Sequence, residues 1–135
     1  GYLCYRQLSF GYLDMAWHTL SQPYTGDVIA FERQAMEKAA LMPLVDGTAM
    51  STSFSHIFAG GYAAGYYGYK WAEVLDADAF EAFKETGNIF DKKTADKFRD
   101  FILVPGSIDD AMDMYKNFRG KEPSIEPLLK NRGLK

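Results

Sequence analysis

The chain has 135 residues, one domain's worth or part of a larger protein, with 47% hydrophobic and 16% aromatic residues, too aromatic for a disordered chain. A net charge of −3 provides no basic field for nucleic acid or an anionic membrane surface. No run approaches the ~20 apolar residues of a membrane span, and the single cysteine, Cys4, excludes an internal disulfide or a cysteine zinc cluster.

The opening GYLCYRQLSF lacks the basic region and small-residue cleavage site of a signal peptide, and reads as the middle of a longer pattern. Residues 2 to 20 have helical periodicity: Leu3, Phe10, Leu13, Trp17 and Leu20 form one stripe, and Tyr2, Tyr5, Tyr12 and Ala16 an adjacent one. Two apolar stripes call for neighbours on two sides. Pro23 stops this helix. His18, near its end, is read as structural or exposed. Asp27 is placed to cap a second helix, 28 to 41, with Val28, Phe31, Ala35 and Met42 inward and Glu32, Arg33, Glu37 and Lys38 outward. Pro43 ends it. A Ser/Thr-rich loop follows, turning at Asp46-Gly47 and leading to His56.

Residues 54 to 80 organise the rest. The stretch FSHIFAGGYAAGYYGYKWAEVLDADAF holds one of two histidines, four of nine tyrosines, and four of twelve glycines between Gly60 and Gly68. Each glycine inside a regular element costs about 1 kcal/mol relative to alanine, so a functional or packing reason is expected. With a helix starting near Tyr62, the spacing puts Tyr62, Tyr66, Tyr69 and Glu73 on one face. Tyr67, Trp71, Val74 and Leu75 form a greasier, core-facing stripe. Gly60-Gly61 gives a bare backbone that a ligand can approach closely. The helical pattern continues to Phe83 or Glu85 and ends at Gly87.

Asp91 caps a helix over 92 to 103, with Ala95, Phe98 and Ile102 inward; Pro105-Gly106 breaks it. Ser107 with Asp110 resembles a capping box. It opens a helix over 108 to 118, with Ile108, Met112, Tyr115 and Phe118 on one side. Ser124 caps a last helix, 125 to 131, before Gly133. The expectation is an all-α fold of about six helices.

No H-E-x-x-H, histidine pair at metal-binding spacing, G-x-S-x-G elbow or phosphate loop is present. What remains is a set of hydrogen-bonding groups: His56, Tyr62, Tyr66 and Tyr69 can meet a peptide or a developing oxyanion. The competing reading is that aromatics at helical spacing are core and that a glycine-rich helix start serves close packing.

The same stretch resembles the signature of the thimet oligopeptidase and dipeptidyl carboxypeptidase family of zinc metallopeptidases. His56-Ile57-Phe58 before Gly-Gly-Tyr-Ala-Ala-Gly-Tyr-Tyr is closer to the bacterial peptidyl-dipeptidase branch. LDMAWHTL, GTAMSTSF and FRDFILVPGSIDDAMDMYKNFRGKEPSIEPLL extend the likeness over nearly the whole chain. The resemblance implies that residues 1–135 are a C-terminal helical subdomain of a two-lobed clamshell. The zinc-binding H-E-x-x-H helix would lie upstream, so zinc would belong to the full-length enzyme and no metal ligand to this chain. The catalytic roles fall to Tyr69, Tyr62 and His56, with Tyr69 facing the oxyanion. Tyr66, Gly60 and Gly61 bind substrate, and the loop from Ala59 to Gly65 flexes. Arg119 and Lys121 are the cations such an enzyme could turn on a C-terminal carboxylate, a role not assigned to them. Glu73 shares the tyrosines' side, with Lys70 or Arg99 as alternative partners for it.

On this reading the full-length enzyme hydrolyses short peptides, releasing C-terminal dipeptides, and this piece alone is inactive. Its partners are a peptide substrate and the upstream part of the same polypeptide, not nucleic acid or membrane. Exposed cleft surface should make the isolated piece self-associate, and a cytoplasmic location is expected. The alternative is a non-catalytic helical module that binds a peptide or protein groove-wise.

Overall fold

A computed structural model describes all residues 1–135. It contains seven α-helices and no strand: α1 (Tyr2–His18), α2 (Val28–Met36), α3 (Ser55–Phe58), α4 (Gly68–Glu85), α5 (Lys92–Phe98), α6 (Ala111–Arg119) and α7 (Glu126–Asn131). A 3₁₀ turn, Glu37–Ala39, extends α2, and a π-helical turn, Arg99–Leu103, extends α5. The chain divides into two compact units, Gly1–Lys70 and Trp71–Lys135. No helix is long and apolar enough to cross a membrane.

In the first unit, one face of α1 packs on α2 and the loops that follow. Phe10, Leu13, Met36, Phe54, Ile57 and Tyr66 form its core. Phe54 lies 5.0 Å from both Phe10 and Tyr66, ring centre to ring centre, within the range of favourable aromatic pairs. The second stripe of α1 remains uncovered: Tyr2, Tyr5 and Tyr12 are exposed, as are Leu3 and Leu20 of the first. Asp27 caps α2 by accepting from the amides of Ile29 and Ala30. The inward face of α2 differs from the expected one. Met42 is exposed, whereas Glu32 is only 1% exposed. The Glu32 carboxylate accepts the amides of Met50 (2.9 Å) and Ser51, holding the Ser/Thr-rich loop against α2. A buried carboxylate is tolerable when its lone pairs are met in this way. Trp17 donates to the Ser51 hydroxyl at 2.8 Å and steadies the same loop.

The core of the second unit is built from Ala79, Tyr115 and Phe118, with Leu75, Phe83, Phe98 and Ile102 packed against them. Asp91 caps α5 through the Thr94 amide, as its position suggests. The cap of α6 is Asp110, which accepts from Met112 and Asp113, so this helix starts three residues later than a cap at Ser107 would place it. Ile108 therefore lies outside the helix and is exposed. Asp78 is buried in this core, taking the Tyr115 hydroxyl at 2.6 Å and Arg119 Nε at 3.2 Å. Arg119 also forms a two-pronged pair with Glu85, both contacts 2.7 Å. Its guanidinium is thus engaged within the fold, which accounts for it without a substrate carboxylate.

Two aromatic expectations are corrected. Tyr67 is 58% exposed and Trp71 is 46% exposed, so neither is a core residue. The helix begins at Gly68 rather than near Tyr62, and turns occupy the residues between. Those turns direct Tyr66 inward and Tyr67 outward. Trp71 lies one helical turn before Leu75, where the second unit's core begins.

Candidate functional site

The aromatic cluster belongs to the first unit and starts at α3, a single turn carrying His56. The amides of Ala59 and Gly60 both donate to the Ser55 carbonyl, at 2.7 and 2.8 Å, and the Tyr62 amide donates to the His56 carbonyl at 3.1 Å. This folds the loop back over α3 so tightly that only glycine fits at position 60. A Cβ there would lie 2.8 Å from the His56 Cα. Gly61 has φ of +81°, which side chains disfavour. Gly65 and Gly68 differ: a Cβ at Gly65 makes only ordinary contacts, and one at Gly68 meets nothing within 4 Å. Two of the four glycines are therefore needed by the backbone; of the other two, only Gly68, beside Tyr69, leaves open space.

From Tyr62 the chain turns again, with the Gly65 amide on the Tyr62 carbonyl at 2.9 Å. Ala64 adopts φ of +54°, rare for a residue with a side chain. The anchor for this turn is Asp14 of α1, which is 0% exposed. Its Oδ1 accepts the Ala64 amide at 2.9 Å and its Oδ2 the Tyr66 amide at 2.8 Å. Backbone amides converging around a left-handed residue form a concavity that holds an anion, here the carboxylate. His18 Nδ1 lies 2.8 Å from both the Asp14 carbonyl oxygen and Asp14 Oδ1, a structural place, one of the two readings given for it.

Beyond the turn, the expected ring grouping forms by a different route. Tyr62 and Tyr69 stack at 5.1 Å with 29° between planes. Tyr66 meets Tyr69 edge-on at 5.3 Å, and His56 lies 5.8 Å from Tyr62. These residues do not share one helical stripe, because Tyr62 precedes α4. Glu73, the fourth member of that stripe, pairs with Arg132 at 2.6 Å. His56, Tyr62 and Tyr69 are exposed. Tyr66 departs from the expectation of a phenol lining a cleft: it is 9% exposed, and its hydroxyl donates to Gln7 Oε1 at 2.8 Å.

The Tyr69 phenol holds its proton above the ordinary tyrosine range, chiefly through a hydrogen bond with Tyr62 and secondarily through desolvation. It remains a neutral hydrogen-bonding group throughout the physiological range. The arrangement offers two adjacent phenols and an imidazole beside bare backbone, fit to hydrogen-bond a polar ligand. It contains no nucleophile paired with a base. No three His, Cys, Asp or Glu side chains come together as a metal site, so the residues present do not fit a zinc ion.

Sequence reasoning missed Asp14 and Gln7, which hold the site from α1. The available signal was an acid flanked by Phe10 and Trp17 on the stripe that also holds Leu13, a place where a solvated charge is out of keeping.

Comparison with known proteins places this geometry in context. The family model described as Peptidase family M3 matches residues 1–134. Oligopeptidase A of Haemophilus influenzae is 44% identical over 130 residues, covering 96% of this chain and 19% of that protein. The probable cytosolic oligopeptidase A of Arabidopsis thaliana is 45% identical over 139 residues, covering 99% and 20%. Dipeptidyl carboxypeptidase of Salmonella typhimurium is 40% identical over 136 residues, again 99% and 20%. The chain thus spans about a fifth of the length of the curated relatives it matches.

Proposed function

Because the chain belongs to peptidase family M3, we propose that it forms the substrate-binding and transition-state-stabilising part of a zinc metallopeptidase acting on short peptides. The observation that carries this reading is the exposed Tyr62–Tyr69 pair, stacked at 5.1 Å with His56 alongside and Gly60-Gly61 at its edge. A peptide backbone is planar and rich in carbonyl and amide groups. It needs close approach, supplied by glycine, and hydrogen-bonding groups at fixed spacing, supplied by the phenols. Tyr69 is the donor to the oxygen that gains charge as the scissile carbonyl becomes tetrahedral. Tyr62 orients Tyr69 and binds the neighbouring peptide unit, and His56 contacts the same substrate stretch. Tyr66 contributes its ring edge, its hydroxyl being held by Gln7.

The zinc of such a peptidase, and the groups that hold it, belong to the part of the polypeptide outside these residues. On this proposal the 135-residue chain is a C-terminal helical subdomain and is inactive alone. A cytoplasmic location remains part of the proposal. Release of C-terminal dipeptides is the cleavage mode carried over from the peptidyl-dipeptidase branch. Mass spectrometry of the products checks it: dipeptides are expected, and internal cuts alone would exclude that mode.

The deciding experiment is Tyr69→Phe in the intact peptidase, which removes one hydroxyl and little packing. Loss of a single oxyanion donor lowers kcat by about 100- to 1000-fold, and the thermal midpoint should stay in place. An unchanged kcat removes Tyr69 from the mechanism.

A further inference from the structure

Asp14 and Gln7 stand two turns apart on α1, and both reach the glycine-rich loop. Asp14 grips the Ala64 and Tyr66 amides, and Gln7 accepts the Tyr66 hydroxyl. Tyr66 is thereby fixed at both its backbone and its side-chain end. Its ring stands edge-on to Tyr69 at 5.3 Å and to His56 at 6.4 Å, between the core and the exposed cluster.

We propose that Asp14 and Gln7 are positioning residues for the Tyr62–Tyr69 pair, acting through Tyr66 and the turn at Ala64. The inference deepens the function proposed above and rests on it wherever catalysis is the readout. Three features support it. The Asp14 carboxylate is fully buried, and its oxygens are met by the Ala64 amide, the Tyr66 amide and His18 Nδ1. A buried carboxylate with that many partners is a rigid fixture rather than a surface charge. Ala64 keeps its left-handed backbone, a conformation that persists only where the surroundings over-determine it. Finally, no hydrogen bond links Asp14 or Gln7 to the hydroxyl of Tyr62 or Tyr69, so any effect on those phenols travels through geometry. The Asp14 grip makes the loop's shape, rather than the chemistry of the phenols alone, a determinant of rate.

The test uses Asp14→Asn and Gln7→Leu, in the 135-residue chain and in the intact peptidase. In the chain, Asp14→Asn is expected to speed hydrogen exchange at the Ala64 and Tyr66 amides by about tenfold or more while α2 amides keep their protection. A residue-resolved NMR titration of the labelled tyrosine rings should show the Tyr69 ionisation moving back toward the ordinary tyrosine range. In the intact peptidase kcat should fall about 10- to 100-fold with KM changed by less than about threefold, the signature of misplaced rather than missing groups. Gln7→Leu is expected to act in the same direction and more weakly, and it carries the test if Asp14→Asn does not fold. The proposal is overturned if the folded variants leave both the Tyr69 ionisation and kcat at their wild-type values. It is also overturned if kcat falls only in step with faster exchange at every amide. If Tyr69→Phe leaves kcat unchanged, the function proposed above fails on its own account; loop exchange and phenol ionisation then still decide positioning.

Discussion

The phenol of Tyr115 lies inside the second unit, its hydroxyl 2.6 Å from the Asp78 carboxylate, with Arg119 on the same oxygen. The phenol of Tyr69 is exposed at the first unit's aromatic cluster, with another phenol, Tyr62, as its partner. Both hold their protons more tightly than a free tyrosine, for opposite reasons. For Tyr115 burial is the larger cause and the Asp78 hydrogen bond the next. For Tyr69 the hydrogen bond with Tyr62 comes first and desolvation second. A phenol locked to a buried carboxylate serves the fold. One facing solvent, steadied by an equal, can exchange that partner for a ligand.

The largest expected effect attacks the Tyr115 side. Arg119→Leu leaves Asp78 buried without its cation, and breaking such a pair costs about 3–5 kcal/mol, read as a lower denaturation midpoint. If stability hardly changes, the buried network is not the support described here. Next comes Tyr69→Phe, about 2.7–4 kcal/mol in the rate barrier of the intact enzyme and within about 0.5 kcal/mol in stability. Tyr115→Phe should show the converse: a stability loss of about 1–3 kcal/mol from an under-satisfied Asp78, with kcat of the folded enzyme retained.

A pH series sharpens the contrast. The folded-state pKa of Tyr115 is raised, so its contribution is complete below the ordinary phenol range of about 10 and is lost as pH rises through the higher folded value. Above about pH 10, the parent chain should lose stability to urea more steeply with rising pH than Tyr115→Phe does. The smallest effect is at Gly68, beside Tyr69. Gly68→Ala meets open space and should raise stability by up to about 1 kcal/mol. Gly60→Ala, which forces a Cβ against His56, should lower it.

Local chemistry made much of the fold legible. Asp27 and Asp91 are caps because a carboxylate before an apolar-periodic run can take free amides, and both do so. Gly87 and Gly133 follow their helices in the left-handed conformation that this position favours. Long-range burial was not legible. Glu32 reads as a solvated charge on α2 until the loop at Met50 and Ser51 covers it. Asp14 and Asp78 are hidden for the same reason, since their partners lie 50 and 37 positions away. The tyrosines that meet in the aromatic cluster were foreseen, but the helical stripe thought to align them is replaced by turns. Periodicity could not show that Tyr66 would be drawn inward while Tyr67 and Trp71 stayed exposed.

The Asp14 anchor also limits how far the motif can travel. The Tyr66 amide depends on a residue 52 positions earlier, and its hydroxyl on one 59 positions earlier. Loop closure over such spans is entropically unfavourable, and the native contacts that offset it come from α1. A peptide of residues 54–80, or a graft of that stretch onto a foreign scaffold, would preserve every letter of the signature and none of its shape unless the first helix moved with it.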